Sequence, residues 1–356
     1  MTDDNLRSAK TAWYITQAHF ANSTLSSVIG HPSSLIGTKG PGSTVNLVDG
    51  VRKGDPLSVS RGISAAENGT AEGRTLLDAI APLVGRATRV GFTGPPGVGK
   101  STTIDALVQV IRASGDRVGV IAVDPTSPFT GGALLGDRIR MGKSTEDAGV
   151  FMRSMATRGT TGGLSRATQD AADILDASGV ARVLIETVGV GQSEVEIARA
   201  ADLTIVILSP ESGDGIQAMK SGILEIADLV LINKADRIGA DKLEQDLRGA
   251  FDLRPSRRQA DIPILHSVAF QGKGIPELLN AIDLILAGRR NNGDFDQRRQ
   301  SNMVKRLRNL AEYMIERDLW NGAGGKLESV AKDVLNHSKT SYQAAELLVH
   351  EALKTR

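Results

Sequence analysis

Short apolar stretches of strand length recur between helical ones along this 356-residue chain. That alternation predicts an α/β fold with a mostly parallel sheet, buried on both faces and flanked by helices. Two further observations narrow the class: a glycine-rich turn joins the first such strand to its helix, and helical segments precede and follow the alternating region. Leu47, Val51, Leu57, Val59 and Ile63, with Gly54-Asp55-Pro56 among them, predict two short helices joined by a tight turn. A third helix is expected over 73–84. The centre then reads strand 89–93, helix 100–114, strand 117–123, helix 163–178, strand 181–186, strand 203–208, helix 213–227, strand 229–233, helix 240–251, strand 264–268 and helix 275–287. After Gly288 the composition shifts. Arg289-Arg290-Asn291-Asn292-Gly293-Asp294 reads as a linker, and helices are expected over 297–320 and 327–353. The expected division is a variable N-terminal arm (1–46), a helical segment (47–86), a central α/β domain (87–288) and a C-terminal helical region (289–356).

Composition removes several classes. With no cysteine, the chain is neither a disulfide scaffold nor a thiolate metal site. Its 42 Lys+Arg balance 41 Asp+Glu, which gives no global attraction to nucleic acid or an anionic membrane. Arg298, Arg299, Lys305, Arg306 and Arg308 form a basic run, but Glu312, Glu316 and Asp318 follow it, so a solvated or dimer-facing helix is expected there. No apolar run approaches the ~20 residues of a membrane span. Met1-Thr2-Asp3-Asp4 places acid where a signal peptide places base. Residues 5–48 lack Asp and Glu, yet Arg7 is the sole arginine before Arg52, so a bacterial cytoplasmic location is expected ahead of the mitochondrial matrix. The 39 glycines exceed the usual ~7% and gather in a few loops.

The first of these loops, Gly94-Pro95-Pro96-Gly97-Val98-Gly99-Lys100-Ser101, matches G-x-x-x-x-G-K-[ST] between an apolar strand and an amphipathic helix. This is the context of a P-loop nucleotide-binding fold. Glycines let backbone N–H groups converge on phosphates, and the helix N-terminus adds its dipole. Lys100 neutralises β/γ oxygens, the Ser101 hydroxyl ligates Mg²⁺, and Thr102 continues the turn. Asn233-Lys234-Ala235-Asp236 follows a buried strand as N-K-x-D. There the Asp236 carboxylate accepts from guanine N1–H and N2–H₂ while the Lys234 stem packs along the base. Ser267-Val268-Ala269, after the next strand, fits the loop whose backbone meets the guanine carbonyl. GTP is therefore expected over ATP. Asp124 and Glu186 close strands on the same edge and are candidate Mg²⁺ ligands. Gly189 would bring its N–H to the γ-phosphate.

Together with Val123 to Ser127, Gly131 to Asp137, Arg158-Gly159, Gly162-Gly163, Glu186 to Glu194, Gly213-Asp214 and Ile216-Gln217, these motifs closely resemble the MeaB/ArgK GTPases. That family belongs to the SIMIBI class of P-loop GTPases and includes the human methylmalonic aciduria type A protein. The resemblance implies a metallochaperone that loads adenosylcobalamin into an acyl-CoA mutase under GTP control and rescues mutase holding damaged cofactor. The cofactor would be handled through the partner and not held tightly by this chain. It also implies a homodimer through the C-terminal helices, with an adenosyltransferase as a further partner. By the same resemblance Asp124 and Glu186 are the Mg²⁺-site acids, Asp137 belongs to a mobile loop near the γ-phosphate, and 209–220, with Asp214, Gln217 and Lys220, couples nucleotide state to the mutase. Gly215 departs from the family's second acid, and Glu211-Ser212 from its Gly-rich pair. The expected catalytic set is Lys100, Asp137, Glu186 and Lys220.

Methylmalonyl-CoA mutase is the client the family suggests first, with 2-hydroxyisobutyryl-CoA mutase as a relative. No glutamine immediately follows Gly189, so slow intrinsic hydrolysis is expected. Two competing classes share the phosphate loop. A hydrogenase- or urease-type metal-insertion GTPase carries Cys/His clusters, whereas this chain has five scattered histidines, His19, His31, His266, His337 and His350. A kinase acting on transport proteins would place phosphate on a protein acceptor.

Overall fold

The computed structural model describes residues 42–125, 147–157, 163–187, 192–212, 222–252 and 262–354, and Thr44–Arg356 forms one unit. Three helices lead in: α1 (Gly42–Arg52), α2 (Pro56–Glu67) and α3 (Ala71–Ile80). Each turn between them is built by sequence-local chemistry. Asp55 caps α2 by accepting the Ser58 N–H at 2.9 Å, with Pro56 at the first helical position. Thr70 Oγ1 accepts the Gly73 N–H to start α3. A 3₁₀ turn, Ala81–Leu83, replaces the end of the helix expected over 73–84, with Pro82 inside it.

The sheet has seven parallel strands in the order β3-β2-β4-β1-β5-β6-β7. They are β1 (Thr88–Thr93), β2 (Val118–Pro125), β3 (Val150–Thr157), β4 (Arg182–Thr187), β5 (Leu203–Leu208), β6 (Leu229–Asn233) and β7 (Ile264–Ser267). The crossover and edge helices are α4 (Lys100–Ala113), α5 (Gly163–Ala177), α6 (Gln192–Ala200), α7 (Ala240–Asp252) and α8 (Ile275–Asn292). Successive residues of a strand face opposite sides, so both faces of a covered sheet must be apolar. Ile205 and Ile207 of β5 join Leu107, Ile111, Leu278 and Ile282 of α4 and α8 in one core. Val206 and Leu208 join Ile232 and the α7 residues Leu243 and Leu247 in another. A third core lies between β2, β3 and β4 and the helices α1, α2, α3, α5 and α6.

Five features depart from the sequence expectation. Strand β3 and helix α6 form where neither was read. Residues 222–227 of the expected helix 213–227 hold the 3₁₀ turn Ile223–Glu225; the remainder lies outside the described residues. The expected linker 289–294 is instead the last turn of α8, a break at Gly293 (φ 83) and the start of α9 (Asp294–Leu335). Finally, α9 runs unbroken for 42 residues, about 63 Å at 1.5 Å per residue, through glycines 322, 324 and 325, and α10 (Ser341–Lys354) folds back on it through Val330, Ala344 and Leu348.

The polar stretch misread as a linker is an ion-pair clamp. Asp202 and Asp228 each stand one residue before a strand, in the repeated triplet Ala-Asp-Leu. Each carboxylate accepts a backbone N–H of a neighbouring strand, Arg89 for Asp202 at 2.9 Å and Thr204 for Asp228 at 2.8 Å. Arg299 then pairs with Asp202 at 2.7 Å, and Arg289 and Arg298 with Asp228 at 2.5 and 2.9 Å. Arg306 reaches Asp170 and Asp173 of α5. Of the basic run, Arg298, Arg299 and Arg306 thus turn inward toward the domain, whereas Lys305 and Arg308 are exposed, as expected of a solvated or dimer-facing helix. No helix among the described residues is long and apolar enough to cross a membrane.

Burial opposes ionisation of Asp228, but Arg298 and Arg289 outweigh it and hold its carboxyl below the ordinary aspartate value. A depressed folded value means the stabilisation is complete above the unfolded value of about 3.9 and is lost as pH falls through the folded one. Asp228→Ala is expected to cost about 3 kcal/mol in denaturant unfolding at pH 7, because two arginines lose their buried partner. The gap to wild type is expected to narrow as pH falls below about 4, where the unfolded chain takes up the proton first, and to close only as pH passes the depressed folded value.

Candidate functional site

In a parallel sheet all strand C-termini open on one edge, and ligands bind there. The seven strands bring the phosphate loop after β1, Glu186 on β4, Asn233 to Asp236 after β6 and Ser267 to Ala269 after β7 to this edge.

The phosphate loop is preformed by its glycines. Gly94 has φ 140, and a Cβ there would lie 2.1 Å from the Ile207 carbonyl oxygen. Gly99 has φ 95, and a Cβ there would lie 2.4 Å from the Asn233 side-chain nitrogen. Helix α4 starts at Lys100 with no side-chain cap from Gly99, so its first-turn N–H groups suit an anionic ligand. Lys100 is 7% exposed and curls over the loop, with Nζ donating to the Gly94 and Pro95 carbonyls at 2.8 and 2.9 Å. Those two bonds hold the ammonium at the mouth of the loop, where phosphate oxygens would meet it.

Glu186 sits on β4 between Phe92 of β1 and Ala122 of β2, and its Oε1 accepts the Ser101 hydroxyl at 2.7 Å. Behind it, Thr187 Oγ1 donates to Thr93 Oγ1 at 3.2 Å. The β2 backbone carries Asp124, opposite Ala156 of β3, one step past the Val123–Thr187 pair. Two hard oxygen donors therefore meet within hydrogen-bond distance beside the loop, Ser101 on α4 and Glu186 on β4, the strand next to the β2 backbone that carries Asp124. An all-oxygen set of this kind fits Mg²⁺. No cluster of three or more His, Cys, Asp and Glu suited to another metal occurs among the described residues.

Asn233 joins the two halves of the crevice. Its amide nitrogen donates to the Val98 carbonyl at 2.9 Å, while its Oδ1 accepts the Ser267 hydroxyl and the Ala269 N–H, both at 3.1 Å. The side chain is fully buried, so every one of these bonds counts. Lys234 follows with φ 57, a left-handed conformation unusual for a residue with a Cβ, held by the Ala235 N–H bond to the Ser267 carbonyl at 3.0 Å. Asp236 is exposed. Of the expected residues, Asp137, Gly189, Asp214, Gln217 and Lys220 lie outside the described residues. The structure adds Glu211, read from sequence only as a departure in its loop: it accepts from Lys234 Nζ and pairs with Arg237. Nothing local in the sequence signals that pairing.

The family model described as methylmalonyl Co-A mutase-associated GTPase MeaB matches residues 59–323. A relative from Pyrococcus horikoshii that carries a GTPase designation is 42% identical over 308 residues, covering 86% of this chain and 97% of its own. GTPase ArgK of Escherichia coli is 38% identical over 244 residues, 67% of this chain and 73% of ArgK. The crystal structure of a LAO/AO transport system kinase superposes with a TM-score of 0.66 at 26% identity, over 88% of this chain and 99% of that one.

Asn233→Ala is expected to leave the Ala269 N–H and the Val98 carbonyl without their partner at a cost of ~1–3 kcal/mol each. Measured by equilibrium titration, affinity for a bound nucleotide is expected to fall by about tenfold or more.

Proposed function

Since this chain belongs to the MeaB family of P-loop GTPases, we propose that it hydrolyses GTP to GDP and phosphate, and uses that turnover to gate adenosylcobalamin loading and rescue of a cobalamin-dependent acyl-CoA mutase. Methylmalonyl-CoA mutase is placed first among clients, as the enzyme in the family description; 2-hydroxyisobutyryl-CoA mutase is the relative considered next. The observation that carries the chemistry is the hydrogen bond from Ser101 to Glu186 at the mouth of the phosphate loop.

Phosphoryl transfer to water needs positioning and charge neutralisation more than covalent chemistry. In this reading Lys100 exchanges its two carbonyl partners for β/γ-phosphate oxygens. Ser101, Glu186 and Asp124 would hold Mg²⁺, which would supply charge neutralisation at the phosphates. Asp236 accepts the two guanine donors, the Lys234 stem lies along the base, and the Ser267 to Ala269 backbone meets the guanine carbonyl. Gly189 brings its N–H to the γ-phosphate, and Val190 stands where Ras-like enzymes place a water-orienting glutamine. A site lacking that residue turns over slowly until a partner completes it, the part assigned to Asp137, Lys220 and the loops that carry them. Exposed apolar side chains on α9 and α10, among them Val304, Leu307, Ile315 and Val349, support a homodimer through these helices.

Purified protein given GTP labelled at the γ-phosphate is expected to release free phosphate slowly, and faster when an adenosylcobalamin-dependent acyl-CoA mutase is added. Equal rates with and without mutase, or label on a protein acceptor, would contradict the proposal. Lys100→Ala is expected to lower the hydrolysis rate by about 100-fold or more. Asp236→Asn exchanges an acceptor for a donor, so GTP affinity is expected to fall about 100-fold while xanthosine triphosphate, which offers a carbonyl at that edge, binds better than to wild type.

A further inference from the structure

Glu211 stands in the 209–220 segment where the sequence departs from the family pattern, yet it touches the loop assigned to the base. It lies in the 3₁₀ turn Pro210–Ser212, separated from the end of β5 by Ser209 alone. Lys234 directly follows β6, and the two strands pair in parallel with Leu208 opposite Ile232, so the two strand exits are neighbours. Glu211 Oε2 accepts from Lys234 Nζ at 3.1 Å, and the same carboxylate is ion-paired with Arg237. One acid therefore gathers two cations that flank Ala235 and Asp236.

The loop it grips is strained. Lys234 has φ 57, and two backbone bonds pin it: Ala235 N–H to the Ser267 carbonyl and Arg237 N–H to the Lys234 carbonyl, both 3.0 Å. These fix the main chain but leave the lysine side chain with its rotamer freedom. Glu211 removes that freedom and screens the mutual repulsion of Lys234 and Arg237. A binding site whose side chains are already ordered loses less entropy when the ligand arrives.

We propose that Glu211 is a positioning residue for the guanine pocket, fixing Lys234 and Arg237 so that the base meets the lysine stem in place. The inference rests on the assignment of the Lys234 loop to guanine under the proposed function. Two consequences follow from where the contact sits. Its partners Lys234 and Arg237 belong to the loop assigned to the base, so GTP and GDP are affected alike and the chemical step is not. Side-chain exposures of 36% for Glu211, 28% for Lys234 and 49% for Arg237 leave the pair open to salt, so its effect is modest and screened.

The test is equilibrium binding of fluorescent GTP and GDP to wild type, Glu211→Ala and Glu211→Gln at low and high ionic strength, with kcat for GTP hydrolysis measured on each. Glu211→Ala is expected to weaken both nucleotides by roughly 2- to 6-fold at low salt, with kcat at saturating GTP unchanged. Glu211→Gln, which keeps an acceptor but not the charge, falls between, and the differences shrink at about 0.5 M salt. Unchanged affinity, a loss confined to GTP, or a fall in kcat matching the fall in affinity would each overturn the inference. If Glu211→Ala does not fold by circular dichroism, Glu211→Gln decides alone. A wild-type protein that does not prefer GTP to ATP removes the functional reading instead, whereas normal wild-type binding with indifferent variants removes only the part given to Glu211.

Discussion

The amide of Asn233 is the joint on which the nucleotide crevice depends. Three partners from two segments meet on one buried side chain: the Val98 carbonyl of the phosphate loop, and the Ser267 hydroxyl and Ala269 N–H at the end of β7 and just after it. A buried amide is stable only when its donors and acceptors are met, so the two loops are held in a fixed relation before any ligand arrives. Gly99 must lack a side chain for the same reason, since a Cβ would strike the Asn233 nitrogen. The phosphate and base halves of the crevice are thus one rigid object, with Lys100 already poised over its loop.

The two ends of the sheet carry different physics. At the C-terminal edge backbone N–H groups, a lysine and oxygen donors collect around a space suited to an anionic ligand and a cation. At the N-terminal edge Asp202 and Asp228 cap strands and receive Arg289, Arg298 and Arg299. These pairs are partly buried and share backbone N–H donors, which distinguishes them from surface ion pairs of little worth. They fasten the root of α9 to the same strands, β5 and β6, whose far ends carry Glu211 and Asn233. A helix anchored in this way keeps a fixed direction where it leaves the domain.

Much of this was legible because it is local. The strand, glycine turn and helix around Lys100, the N-K-x-D run after β6 and the unbroken apolar stretches of β5 and β6 each announce themselves within ten residues, and Gly54-Asp55-Pro56 announces the first helical turn. What escaped is what depends on partners distant in sequence. Strand β3, Val150 to Thr157, holds Arg153 and Ser154 among its apolar residues because it is the sheet's edge and is only half-buried. Arg289 and Arg290 read as linker because nothing nearby shows that Asp228 and Thr88 await them across the fold. The basic run on α9 read as solvated or dimer-facing because the acids that meet Arg298, Arg299 and Arg306 lie on other elements. Glu211 and Lys234 lie on different strand exits and meet only when β5 and β6 are paired. The repeated Ala-Asp-Leu before those strands was the available signal for the clamp, and it acquires meaning only beside the arginines of α9.

The central claim is that the Asn233-centred crevice selects guanine. Calorimetric titration of the purified protein with GTP and with ATP, each with Mg²⁺, tests it most directly. A preference for GTP of about 100-fold or more is expected, because adenine cannot satisfy the Asp236 carboxylate and would leave it desolvated and unmatched. Equal affinities for the two nucleotides would contradict the account.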